Sequence, residues 1–346
     1  MRDLSVIRKF GKRGHIESGL RLDMGERALD FPKDVFQDFL NSLSQEDFIC
    51  YPSESDYNSL TEKISQLNNV PSSFVNLNFG SDQSIRNIFE LCAASGGEVV
   101  INDPCFPMYK VYADTFNLKC EAVHYNADLD FDLTTMLRKV NDKTNMVILA
   151  NPNSPFGKVK PISDIVFLCR ELQRKNITLL LDEAYIDFGG ESATSLLGIY
   201  SNLIICKTFS KAWGAAGVRC GYTLSQPLNI LKLEKIRPSF PTTGASLKYL
   251  TFLLDRPYLK QNYVKEVLEE KNKIIKTLDS RFSFHYGAVS WIHLNDVDDN
   301  FSLDKLLQAH NISYKNGLRI PYDNRKNWIR IGIKPGISHL LNQCEF

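Results

Sequence analysis

The 346-residue chain contains no Gly-x-Gly-x-x-Gly, which excludes the dinucleotide fingerprint of nicotinamide dehydrogenases. Its 8 cysteines (Cys50, Cys92, Cys105, Cys120, Cys169, Cys206, Cys220 and Cys344) form no Cys-x-x-Cys pair. Several lie inside apolar runs, where cysteine packs as a small hydrophobe. Reduced thiols in a cytoplasmic protein are therefore expected, not a disulfide framework or a zinc site. No apolar run approaches the roughly 20 residues of a membrane span. The basic, polar start from Met1 to Gly14 lacks the apolar core of a signal peptide. A net charge of +1 offers no electrostatic pull toward nucleic acid or an anionic membrane. There is no low-complexity tract, Gly/Ser linker or internal repeat.

Hydrophobic residues make up 43 % of the chain and charged residues 23 %, the balance of an ordinary globular protein. The length suits one large domain with a smaller partner. Apolar runs at Glu98 to Asn102, Asn145 to Ala150 and Ile177 to Leu181 read as strands. Between the last two, Ser163 to Lys175 carries Ile165, Val166, Leu168, Cys169 and Leu172 on one face. That spacing predicts a helix with Ser163 as N-cap. Near-continuous apolar strands with helical crossovers predict an α/β fold, with a mostly parallel sheet covered by helices on both faces. Beyond about Ser246 one long charged helical stretch runs to Leu278. Short strands at Val289 to Leu294 and Trp328 to Ile333 flank a helix near Leu303 to His310. The expected organisation is an N-terminal arm (1–30), a large domain (31–245) and a smaller α+β domain (246–346).

Chemistry concentrates in Lys207-Thr208-Phe209-Ser210-Lys211, which runs on to Gly217-Val218-Arg219-Cys220-Gly221. A lysine there can form an imine with an aldehyde, while Thr208, Ser210 and Arg219 hold a phosphate. Pyridoxal phosphate needs both. Asp182 ends the strand Ile177 to Leu181, and ligands in open α/β sheets sit beyond the carboxyl ends of strands. Its carboxylate either pairs with a pyridine nitrogen or simply caps the loop. Tyr185, three residues on, can donate its hydroxyl to the ring oxygen, or is an ordinary half-buried tyrosine. Gly80-Ser81-Asp82 follows an apolar run and opens an amphipathic helix, a position suited to an anion and also to a common N-cap. Asn151-Pro152-Asn153-Ser154-Pro155-Phe156-Gly157 is a tight turn at another strand's carboxyl end. Arg330 interrupts the apolar strand Trp328 to Ile333. It must face either water or a carboxylate that its fork can grip.

In this order and spacing the motifs resemble the fold-type I pyridoxal-phosphate-dependent aminotransferases, class I/II, of the histidinol-phosphate aminotransferase-like branch. The likeness runs from about Leu22 to Gly336 and includes Tyr51-Pro52 and Pro104-Cys105-Phe106-Pro107-Met108-Tyr109. The resemblance implies that Lys211 bonds the cofactor and moves the proton between Cα and C4′. It also implies that Asp182 pairs with the ring nitrogen, Tyr185 touches the ring oxygen and Phe106 stacks on the ring. Gly80, Ser81, Asp82, Thr208, Ser210 and Arg219 would hold the phosphate, and Arg330 the substrate carboxylate. Tyr51 would reach the phosphate of a neighbouring subunit, implying a homodimer with shared active sites.

Departures from the family pattern lie on the substrate side. Ser154 stands where the family has an asparagine that contacts the ring oxygen, leaving Asn153 as its candidate replacement. Phe156 replaces a threonine, and Gly25-Glu26-Arg27 replaces Asn-Glu-Asn-Pro. Lys315 and Arg319 are the candidates for a second anion-gripping cation. The last helix, after Gly336, is expected to be short. These departures point to a specialised relative acting on a small phosphorylated compound. Ping-pong transamination between an amino-acid donor and a keto or aldehyde acceptor is the expected reaction. The alternative is decarboxylation of an amino-acid phosphate of the phosphoserine or phosphothreonine type on the same lysine. A non-catalytic regulator is disfavoured, because Lys211 is present and the short arm leaves no room for a DNA-binding domain.

Overall fold

Seven strands form the large sheet in the order Val75–Asn78, Gly221–Leu224, Leu203–Thr208, Thr178–Asp182, Thr144–Ala150, Glu98–Asp103 and Lys119–His124. In this computed structural model the described residues are 19–93, 96–278, 282–296, 302–318, 320–321, 323 and 328–342. Arg319, Cys344 and the opening segment Met1 to Gly14 lie outside them. Only Gly221–Leu224 runs against its neighbours; the other pairings are parallel. The expected mostly parallel mixed sheet is thus present. Both faces are buried, which is why the central strands read as continuous apolar runs. Alternate residues serve the two layers: Val100, Leu179 and Leu181 join one core, and Val99, Ile101 and Leu180 the other.

The predicted crossover helix is Ile162–Gln173, with Pro161 at its N-cap and no side-chain cap bond. Ser163 is therefore inside the first turn rather than the cap. Proline suits this boundary because its missing N–H would find no helical partner there. The single long helix expected after Ser246 is two, Gly244–Leu254 and Tyr258–Thr277. Pro257 lies between them, and the residue before a proline is steered away from helix. Leu247, Leu250 and Leu253 pack into the core of the large sheet. That packing favours a division at Pro257 over the expected 245/246 boundary, which falls inside a helix.

The second sheet is antiparallel, in the order Lys315–Leu318, Trp328–Gly332, Trp291–Asp296 and Phe282–Tyr286. Its helices include Leu303–Ala309 and the six-residue Ile337–Asn342. Near the amino end, Leu20–Arg21 pairs in parallel with Ile312–Ser313. This pairing ties the arm to the second sheet's side of the molecule. No described helix is long and apolar enough to cross a membrane.

Candidate active site

Ala150, Asp182 and Thr208 are the last residues of three adjacent parallel strands, so the loops that follow open onto one edge of the sheet. Asn78 ends a strand running the same way and delivers Gly80–Cys92, a helix whose first turn faces that edge. The result is a cavity of about 650 Å³ walled by Ser81, Phe106, Ser154, Asp182, Lys211 and Arg219 among others.

Lys211 projects its amine into this space. Nζ donates to the carbonyl of Met24 at 2.9 Å and lies 5.5 Å from the ring centre of Tyr185. Asp182 is 7 % exposed. Oδ2 accepts from the Tyr109 hydroxyl at 2.6 Å, and Oδ1 accepts from the Ala184 N–H at 3.0 Å. Burial nevertheless pushes its carboxyl above the ordinary carboxylate range, against the opposing pull of those bonds and of Lys211. Two donors do not fully offset the loss of water, so a cation beside this carboxylate is what the site lacks.

On the other side the backbone forms an anion cradle. A Cβ on Gly221 would stand 2.4 Å from the Ser81 nitrogen, and one on Gly80 would stand 2.7 Å from Arg219 Nη2. Gly80 (φ +76) and Arg219 (φ +55) both take the left-handed conformation, costly for an arginine. Arg219 Nη1 is held by the carbonyl of Ala216 at 3.0 Å. Thr208 and Ser210, both buried, add hydroxyls to the wall, and Thr208 Oγ1 accepts from the Ser210 N–H at 3.1 Å. Asp82 lies on the same wall and accepts from the Tyr112 hydroxyl at 2.9 Å. A buried carboxylate wanting a cation, an amine and an anion cradle together fit pyridoxal 5′-phosphate, which carries a basic ring nitrogen, an aldehyde and a phosphate. A Gly221→Ala variant should lose cofactor on gel filtration and lose about 1–3 kcal/mol of stability in urea titration, because the added methyl meets backbone and cannot be accommodated by a rotamer change.

Four expected site residues do not line this cavity. Gly80 sits behind Arg219. Asn153 is 1 % exposed and turned into its own loop, where Oδ1 accepts from the Lys158 N–H at 3.2 Å. Pro152 and Ser154 face the cavity instead. Tyr51 is 79 % exposed and stacks on Phe240 at 4.4 Å. Arg330 is neither open to water nor on the cavity wall. Its guanidinium lies 4.7 Å over Trp291, and Nη2 donates to the carbonyl of Asp23 at 2.8 Å. His293, its register partner, is held near pKa 3, chiefly by burial. It therefore adds no charge beside the guanidinium.

The aminotransferase class I and II family model matches residues 18–342. The chain belongs to that family. It is 25 % identical over 340 residues to the histidinol-phosphate aminotransferase of Clostridium novyi strain NT, covering 96 % of this chain and 92 % of the relative. The same fold occurs in the crystal structure of histidinol-phosphate aminotransferase from Sinorhizobium meliloti in complex with pyridoxal-5′-phosphate. That likeness has a TM-score of 0.82 at 23 % identity and covers 94 % of this chain and 89 % of that one. It also occurs in L-threonine-O-3-phosphate decarboxylase from Porphyromonas gingivalis, with a TM-score of 0.77 at 17 % identity over 94 % and 97 % of the two chains. This aminotransferase is pyridoxal-phosphate-dependent, as the residues of the cavity led one to expect.

Two features of the aminotransferase site escaped sequence reasoning. Tyr109 belongs to a quoted motif, but its partner Asp182 lies 73 residues away, and no local pattern announces that contact. The arm also enters the cavity, through Arg21, Met24 and Glu26. Met24 acts through its carbonyl, which leaves no signature in side-chain type.

Proposed function

We propose that the chain transfers an amino group from an amino-acid donor to a small phosphorylated keto or aldehyde acceptor, with Lys211, Asp182 and Tyr185 serving the reacting atoms. The observation that carries this reading is the meeting of the Lys211 amine, the buried Asp182 carboxylate and the anion cradle in one cavity. Bound pyridoxal phosphate supplies an aldehyde that bonds amines and a ring that takes up electrons released at Cα. Asp182 keeps the ring nitrogen cationic, and Tyr109 orients Asp182 through its hydroxyl. Ser81, Asp82, Thr208, Ser210 and Arg219 take the phosphate. Phe106 covers one ring face, and Tyr185 donates to the ring oxygen. Arg330 takes the donor carboxylate, while Lys211 Nζ removes the Cα proton and delivers it to C4′. The phosphorylated acceptor is supported by the curated relative, named histidinol-phosphate aminotransferase.

The decisive test uses the yellow protein. An amino donor should bleach the yellow colour and a keto or aldehyde acceptor restore it, without carbon dioxide release. Carbon dioxide from O-phosphothreonine or O-phosphoserine with no acceptor present would replace transamination by decarboxylation. A Ser154→Asn variant, whose longer amide can donate to the ring oxygen, should lower the pH midpoint of the colour change by up to about 1 unit, because a donor favours the anion.

A homodimer with shared active sites is part of the same reading. Phe48 (67 % exposed), Ile49 (71 %) and Tyr51 (79 %) form an apolar stretch, which suits burial by a second copy. Light scattering should give twice the 39.4 kDa chain mass, and Tyr51→Ala should weaken cofactor retention. A cytoplasmic setting is supported by the seven described cysteines, all free.

A further inference from the structure

Between Leu22 and Arg27 the arm crosses the cavity and is fastened at both ends. At the near end the Leu22 N–H donates to Ser313 at 3.0 Å, and the Leu22 carbonyl accepts from Gly332 at 2.8 Å. In the middle, the Asp23 carbonyl accepts from Arg330 and the Met24 carbonyl from Lys211. At the far end the fastening is a side chain. The guanidinium of Arg27 lies 4.4 Å from the ring centre of Phe31 and 4.3 Å from that of Tyr263. Its Nε donates to the carbonyl of Leu29 at 2.8 Å, and its Nη1 is buried with no hydrogen-bond partner among the described residues. Its Cδ occupies a notch that only glycine leaves open, since a Cβ on Gly214 would stand 2.4 Å away. Gly214 belongs to the turn that carries Lys211, and its N–H donates to the Lys211 carbonyl at 3.0 Å.

We propose that Arg27 is a positioning residue. It pins the arm between Phe31, Tyr263 and Gly214, so that two main-chain carbonyls fix Lys211 and Arg330 before a donor arrives. A cation between two ring faces resists withdrawal because it would lose both contacts at once. The glycine notch sets how deep the side chain seats. The arm is thereby referenced to the Lys211 turn at one end and to the second sheet at the other. This rests on the roles given above to Lys211 and Arg330.

The test is hydrogen exchange by mass spectrometry on the cofactor-loaded protein, with steady-state kinetics alongside. In Arg27→Met, amides of 22–27 should exchange faster, while those of 144–150 and 178–182 keep their wild-type rates. KM for the amino donor should rise about tenfold, the equivalent of ~1.4 kcal/mol, with kcat changed less than about twofold. Arg27→Lys, which keeps a cation on the rings, should recover part of both effects. Phe31→Leu should give the same pattern more weakly, and it carries the test if Arg27→Met fails to fold. An arm that exchanges at the wild-type rate in the variants overturns the proposal. So does exchange rising equally in the central strands, which would make Arg27 a general core plug. Borohydride trapping on Lys211 is read in parallel. Loss of that adduct from the wild-type protein would refute the cofactor reading and leave the arm measurement to stand separately.

Discussion

Lys211→Ala should be colourless after reduction, with no cofactor covalently trapped by borohydride, and its turnover should fall by about 10⁴-fold, the upper range for a positioned proton-transfer group. The fall is expected to be this large because one amine serves twice, bonding the cofactor and carrying the Cα proton. In the structure its only hydrogen bond is to the Met24 carbonyl, so removing it leaves a carbonyl at the cavity edge and no buried charge. Stability should therefore change little, and urea midpoints within about 0.5 kcal/mol of wild type would separate lost chemistry from lost fold. Covalent trapping in the alanine variant would move the role to another lysine.

Asp182→Asn should reduce turnover by about 10²- to 10³-fold, the usual cost of removing one preorganised electrostatic group, and should weaken cofactor binding. Its effect on the cofactor-free protein runs the other way. The Asp182 carboxyl sits above its ordinary value of 3.8, chiefly because it is buried. The folded state therefore holds this proton to higher pH than the unfolded state does. In the window above 3.8 the wild-type protein loses stability as pH rises through the folded value, and the asparagine variant lacks that loss. The variant without cofactor should melt above wild type at pH 8, with a gap that closes as pH falls toward 4. A gap that widened on acidification would contradict the burial argument. With cofactor bound, the order should reverse, because the ring nitrogen supplies the missing cation.

Much of the site was legible because a few chemically loaded residues sit at strand ends. Asp182, Thr208, Ser210, Lys211 and Arg219 stand in one short run of sequence or directly after an apolar strand, where side-chain type and position carry the information. What sequence concealed was contact across distance and contact by backbone. Tyr109 meets Asp182 from a helix that its own pattern explains as core. Asn153 and Ser154 are neighbours, yet one turns into its loop and the other faces the cavity; the direction follows from the turn's geometry rather than from residue type. The fold was read best where strands are buried on both faces. It was read least well in the second sheet, where Phe282–Tyr286 and Lys315–Leu318 are too short and mixed in polarity to stand out. The split at Pro257 was visible in the residue itself, but the unbroken charge pattern on either side hid it.

The reversed strand Gly221–Leu224 has a consequence for assembly. It lies between Val75–Asn78 and Leu203–Thr208, and its first residue brings the Ser81 and Arg219 halves of the anion cradle together. The cradle therefore cannot exist in a chain that has docked its central strands but not this one. Closing that pairing joins segments far apart in sequence and belongs to the slow part of folding. A cofactor that recognises only the closed cradle selects the fully docked sheet by mass action. Refolding followed through regained colour should then lag behind refolding followed through far-ultraviolet circular dichroism.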